Sequence, residues 1–398
     1  MIKIIFGDII GEKGGYDMLI NFAVAGFASI DQLQELTFSA FKGQKILSTK
    51  YEQNYILSSV NRPTKSSVIF GNNAVGKTNI LYALLGLQQM ISTGLPIKDE
   101  RFFNRLSDTI SFEIIVESDE GNSFEYTIQV NKNEQIIIEK LIKNQDIIFK
   151  FSDNRLYSEL LDNKIQEIYS RESTSTLLSK LKDFITDIYN EFVATINNIS
   201  VVTDMFLNSD VKWFNITFSN KHKELIQNNK ELAIQILRQV DPTIKDIEFE
   251  ERISDDSDTP NYDVKIVRLD EYKQPIRFLL AFESKGIKRI VFLLINLLEV
   301  HLGKTILVDE LDASISTKSL ILLFNEIINS SKNKNGQLIV TSHNLELFDL
   351  SLFAPQQIYI VSKDHSLSTV INSLADFQLR TNKKRLALEF LQGSFEVI

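Results

Sequence analysis

Nine consecutive residues, Gly71-Asn72-Asn73-Ala74-Val75-Gly76-Lys77-Thr78-Asn79, constrain this chain more than any other stretch. They fit G-x-x-x-x-G-K-[ST], a pattern that works only as the loop of a strand–loop–helix unit. The flanks supply that context. Ser66-Ser67-Val68-Ile69-Phe70 is short, β-branched and apolar, as a buried parallel strand should be. Asn79 to Met90 carries helical periodicity through Ile80, Leu81, Leu84, Leu85 and Leu87. Glycines at 71 and 76 let the backbone curl so that successive N–H groups point inward, and the helix adds its positive N-terminal end. The expectation is a cradle for a nucleoside triphosphate built from Gly71 to Asn79, with Lys77 reaching the β- and γ-phosphates and Thr78 ligating Mg²⁺.

A length of 398 residues exceeds one ordinary core and suits two lobes, or one α/β core carrying a large insertion. Without cysteine there is neither a disulfide framework nor a thiolate metal site. Asp8 and Glu12 interrupt the first apolar residues, so no leader pattern is expected at the N-terminus. The longest apolar stretch, Ile290 to Leu298, contains Asn296 and is far shorter than the roughly eighteen residues of a membrane span. A soluble, cytoplasmic protein with no membrane partner is expected. A net charge of −9 argues against indiscriminate nucleic-acid binding over the whole surface, while a local basic strip stays compatible with phosphate contact.

Residues 18 to 28 alternate large apolar and small residues like a strand, with Leu36 to Ala40 as hairpin partner. Ser111 to Glu117, Ser123 to Val130, Gln135 to Ile142 and Ile147 to Phe151 alternate Phe, Ile, Val and Tyr between polar turns, and predict an antiparallel sheet. Helical spacing takes over from Leu156 to Asn198. A single further helix is predicted from Lys221 to Val240, stopped by Asp241-Pro242. Strands are predicted from Ile244 to Val267 around an acidic loop at 255–260, which reads as a solvated turn. The expected division is an N-terminal ATPase lobe over 1–151, a mostly helical insertion followed by strands over 152–275, and a C-terminal lobe over 276–398.

Lys304 to Glu310 is an apolar strand ending in two carboxylates, as a phosphate-cradle ATPase needs on the strand neighbouring its cradle. Asp309 is the expected metal residue, and Glu310 is placed to polarise the attacking water. Gln337 to His343 reads as a third core strand with His343 just past its end, at the edge where such sheets bind ligands, and a γ-phosphate contact is expected of it. Phe282-Glu283-Ser284-Lys285-Gly286 precedes an apolar helix from Ile287 to Leu302, so Ser284 and Gly286 fall at a helix start suited to phosphate. Gln88 and Gln89 read as cradle-helix surface.

Taken in order, the cradle, a long interruption, Ser-x-Gly before a helix, Asp-Glu after an apolar strand, Leu311-Asp312-Ala313-Ser314, and a strand ending Ser-His resemble the ABC-type ATPase head of SMC and RecF proteins. That resemblance implies ATP sandwiched in a head-to-tail pair, with Ser284 and Gly286 facing the γ-phosphate held by the other subunit. It also implies that Leu311 to Ser314 crosses the interface. A closer resemblance, over most of the chain, is to the RloA/AbiL-like relatives of the OLD ATPases of restriction and abortive-infection loci. It is carried by Met18 to Phe27, Ile69 to Asn79, Phe282 to Gly286, Asp309 to Ser314, Gln337 to Ile339, Gln357 to Asp364, Ser373 to Phe377 and Leu391 to Gly393. Ile287, Ser316 and the ending Ser394 to Ile398 depart from that family's pattern, and residues 1–17 precede it.

Only about fifty residues follow His343, without an acidic cluster spaced for a two-metal nuclease. The RloA/AbiL resemblance therefore implies an ATPase, dimeric or of higher order, that controls a separate effector, a nuclease or toxin, in anti-phage defence. The alternative is a RecF-like DNA-maintenance clamp, for which Lys285, Lys288, Arg289, Lys383, Lys384 and Arg385 are the candidate contacts. A transporter subunit does not suit the long stretch between cradle and Ser-x-Gly, and no heptad run supports an SMC coiled coil.

Overall fold

The computed structural model describes residues 17–41, 43–170, 174–203, 218–252, 260–377 and 388–394. Residues 1–16, the acidic residues 255–259, the basic group Lys383, Lys384 and Arg385, and the ending 395–398 lie outside the described residues.

Strands whose side chains are apolar on both faces must be covered on both faces, and five such strands set the centre of this molecule. Ile199–Val202, Thr305–Val308, Gln337–Ser342, Ser66–Gly71 and Ile358–Lys363 lie parallel in that spatial order, and Thr369–Ser373 closes the far edge antiparallel. Their alternation sorts side chains between two cores. Val68, Phe70, Ile306, Val308, Leu338 and Val340 enter one, whereas Ile69, Leu307, Ile339, Tyr359 and Val361 enter the other.

The second of these cores is shared with the cradle helix, Lys77–Thr93, and a seven-stranded antiparallel sheet. That sheet runs Gln34–Thr37, Met18–Ala25, Thr109–Glu117, Ser123–Asn131, Ile136–Lys143, Asp146–Ser152 and Arg155–Tyr157. The predicted antiparallel strands are all present. The N-terminal hairpin extends the same sheet, because Met18–Ala25 pairs with Thr109–Glu117, Phe22 opposite Ile114. Helices Leu177–Leu181 and Thr186–Asn197 pack on this core.

The other core holds the strongly apolar helix Lys285–His301, helices Asn220–Asn228 and Lys230–Val240, and a smaller sheet of Asp246–Arg252, Asn261–Leu269, Pro275–Leu279 and the short Phe218–Ser219. The single helix expected over 221–240 is two. Asn229, at φ −117° and ψ 32°, leaves the helical region while its side chain donates to the Leu225 carbonyl. Asparagine offers the backbone this local alternative, so the break needs neither glycine nor proline. The acid-pair strand also differs from expectation. It does not neighbour the cradle strand, since Gln337–Ser342 lies between them and pairs with both.

Candidate nucleotide-binding site

Parallel pairing carries the ends of three strands to one edge of the sheet. Phe70 stands opposite Ser342 and Val340 opposite Val308, so the cradle, His343 and the acid pair all begin at that edge.

The cradle is shaped by its backbone and by two residues distant in sequence. Ala74 has φ 65° and Gly76, the first position before the helix, has φ 113°. A Cβ at Gly76 would lie 2.1 Å from Thr369 Oγ1 and 2.7 Å from Ser29 Oγ, so glycine is required for space as well as for conformation. The Thr369 hydroxyl donates to the Val75 carbonyl at 2.7 Å, the hydroxyls of Ser29 and Thr369 are 2.7 Å apart, and Asn79 Nδ2 donates to Ser29 Oγ at 2.7 Å. Ser29, in the turn after strand Met18–Ala25, and Thr369, at the start of the edge strand of the central sheet, thus clamp the loop. Sequence reading missed both, and no local signal marks them.

Lys77 is buried, and its Nζ donates to the carbonyls of Gly71 at 2.7 Å and Asn72 at 2.9 Å. Burial lowers its pKa, against the opposing influence of Glu310, Asp309 and Asp312. Thr78 Oγ1 donates to Asp309 Oδ2 at 2.8 Å, which joins the cradle helix to the acid-pair strand across the intervening strand. That intervening strand supplies Thr341, whose hydroxyl donates to Asp309 Oδ1 and accepts from the Glu310 N–H at 2.8 Å. Glu310 has φ 48°, a left-handed conformation unfavourable for a long side chain. Besides Thr341, Arg289 restrains it. The Arg289 Nη2 donates to the carbonyls of Asp309 at 3.2 Å and Glu310 at 3.1 Å. Arg289 is buried, which removes it from the candidate DNA contacts. Thr341 lies two residues before His343 in Val340-Thr341-Ser342-His343, a segment in which the sequence pattern marks only the histidine.

His343 is half exposed, with Nδ1 3.4 Å from Asp312 Oδ2. Asp312 Oδ1 is buried with no hydrogen-bond partner among the described residues. Ser284 is the N-cap of helix Lys285–His301, accepting from the Ile287 N–H at 3.3 Å. A Cβ at Gly286 would lie 2.8 Å from the Ser314 carbonyl, so Gly286 packs against the loop after the acid pair. Gln88 is not mere helix surface. It donates to the carbonyls of Ile196 at 3.1 Å and Ile199 at 2.7 Å, tying the cradle helix to the outermost core strand.

No group of three or more acidic, histidine or cysteine residues among the described residues forms a metal cage. The hydroxyl of Thr78 against the carboxylate of Asp309 is instead the sparse oxygen set that suits Mg²⁺, which takes one or two protein ligands and completes its shell with phosphate and water.

A glycine-rich strand–loop–helix turn, an acid pair reached across one strand, a helix capped by serine and a covering antiparallel sheet give the chain the fold of an ABC-type ATPase head. Residues 66–349 match the family described as "AAA domain, putative AbiEii toxin, Type IV TA system", and the chain belongs to it. Among solved structures, an Smc head bound to the C-winged helix domain of ScpA is similar in fold. It has TM-score 0.52 and 13% identity over 90% of this chain and 99% of that one. An Smc head with an extended coiled coil bound to the C-terminal domain of ScpA, from Pyrococcus furiosus, has TM-score 0.49 and 12% identity over 96% of this chain and 100% of the other. No curated protein matches the chain. Among the described residues no helix is long and apolar enough to cross a membrane.

Proposed function

We propose that this chain binds Mg-ATP in the Gly71–Asn79 cradle, closes head to tail on a second copy, hydrolyses the nucleotide, and by that cycle controls a separate effector protein. The observation that carries the reading is the continuous link from Thr78 through Asp309 and Thr341 to Glu310, which joins a phosphate cradle to a carboxylate suited to general-base work. In this reading the cradle N–H groups and Lys77 hold the phosphates, and Lys77 exchanges its two backbone carbonyls for phosphate oxygens. Thr78 and Asp309 would hold Mg²⁺, which neutralises phosphate charge. Glu310 orients a water toward the γ-phosphorus and takes its proton as the new P–O bond forms and the bond to the β–γ bridging oxygen breaks, leaving ADP and inorganic phosphate. His343, oriented by Asp312, contacts the γ-phosphate, and Ser284 with the Gly286 amide closes over the nucleotide of the partner.

The effector role rests on the RloA/AbiL-like resemblance, and the toxin–antitoxin wording of the matched family supports it. Two measurements test the whole. Glu310→Gln should retain ATP binding and lose hydrolysis by at least about a hundredfold, the scale of a lost general base; turnover at the wild-type rate would remove Glu310 from this role. The same variant, purified with Mg-ATP from its native cell, should carry a stoichiometric nuclease or toxin-like polypeptide. Recovery of DNA and recombination proteins instead would replace effector control with DNA maintenance.

A further inference from the structure

Ser284 is useful to a second copy only if its hydroxyl is presented in one direction, and the approach to it is unusual. Phe282, two residues earlier, is 82% exposed, so no apolar packing fixes the chain there. The residue between them is fixed by charge. The Glu283 side chain is only 8% exposed and accepts from both terminal nitrogens of Arg268, the Nη2–Oε2 contact being 3.1 Å. The same guanidinium donates through Nε and Nη2 to Asp241 Oδ2 at 3.1 and 2.7 Å, and through Nε to Thr243 Oγ1 at 3.1 Å. It also lies 5.2 Å from the ring centroid of Phe278 on the neighbouring strand.

One side chain from strand Asn261–Leu269 therefore joins the end of helix Lys230–Val240, the edge strand Pro275–Leu279 and the residue before the serine cap. On the other side, Gly286 rests against the Ser314 carbonyl. The Ser284 cap is held between these two anchors. The planar fork grips both oxygens of Glu283 while its other edge holds Asp241, a geometry that an ammonium, with its donors on a single atom, cannot reproduce.

We propose that Arg268 is a positioning residue through which the four-stranded sheet sets Ser284 for nucleotide held by a second copy of the chain. The proposal rests on the sandwich reading above. It predicts that Arg268 acts in trans: it serves the partner's nucleotide, not that of its own cradle.

Mixing variants tests this. Arg268→Ala and Arg268→Lys should each bind ATP as the wild type does but turn it over at least about tenfold more slowly, a typical loss for a displaced positioning group. Arg268→Lys keeps the measurement available if the alanine variant folds poorly. Lys77→Ala should be inactive because its own cradle is empty. An equal mixture of an Arg268 variant with Lys77→Ala should recover roughly a quarter of wild-type turnover, since half of randomly formed pairs are mixed and each has one intact composite site. Ser284→Ala mixed with Lys77→Ala is the control. Recovery in both mixtures supports the proposal. Recovery with Ser284→Ala but not with the Arg268 variants would overturn it, by placing Arg268 in its own subunit's site or in folding. Recovery in neither would overturn the sandwich reading, and this inference with it.

Discussion

At the scale of single residues, position 76 shows how little freedom the cradle has. Its φ of 113° and the Thr369 hydroxyl 2.1 Å from any added Cβ leave no room for alanine. Gly76→Ala is expected to weaken ATP binding by more than about tenfold through displacement of the loop amides, read by titration with a fluorescent ATP analogue. Lys77→Ala should abolish that binding. A residue far from the cradle carries the clearest pH signature. Glu139 is fully buried, accepts from the Tyr126 hydroxyl at 2.9 Å and caps the N–H groups of Leu177 and Leu178 at 2.6 and 2.8 Å. Burial pushes its pKa up to about 7 from an ordinary 4.5, against the lowering influence of those bonds. Because the folded value lies above the unfolded one, the folded state holds the extra proton. Its contribution to stability is fully present below about pH 4.5 and is lost as pH rises through 7, a change of about 3 kcal/mol. Glu139→Gln should flatten this part of the pH profile of urea unfolding. An unchanged slope between pH 4.5 and 7.5 would assign the pH dependence to other groups.

At the scale of elements, the site depends on one strand holding two others in register. Gln337–Ser342 separates the cradle strand from the acid-pair strand, and Thr341 bonds to both members of the acid pair. Thr341→Val keeps the shape of the side chain but removes both bonds and strands a polar partner. We expect a loss of about 1–3 kcal/mol in stability, together with a larger fall in kcat than in ATP affinity. The measurements are denaturant unfolding and steady-state turnover. Equal effects on kcat and affinity would mean that Thr341 supports the fold without setting Glu310. Strands and helices with strong periodicity were legible here: the antiparallel strands between 109 and 151 and the apolar helix Lys285–His301 follow the sequence pattern closely. The break at Asn229 was not, because the flanking residues keep helical spacing through it. Nor was Pro275–Leu279 legible as a strand, since its side chains are mostly exposed and show no alternation.

At the scale of the whole molecule, the serine cap and the cradle of one chain begin helices packed in different cores, and the proposed head-to-tail pairing brings each cap to the partner's cradle. Ser284→Arg should leave ATP binding to the single subunit intact while abolishing nucleotide-dependent pairing, as followed by sedimentation of Glu310→Gln with and without Mg-ATP. Pairing that persists in the Ser284→Arg protein would argue for another interface. The strand–loop–helix turn at Gly71–Asn79, the acid pair at a strand end and the serine at a helix start were legible in sequence alone, because each is a short run with a strict order of residue types. What only the tertiary structure decided is how they are held. Ser29 and Thr369 meet across 340 positions to clamp the cradle, Thr341 stands between Asp309 and Glu310, and Arg268 reaches both Asp241 and Glu283. These partners are common polar residues whose local surroundings say nothing of their role. Their meaning comes from the sheet order and packing, which long-range apolar burial sets and no short window of sequence contains.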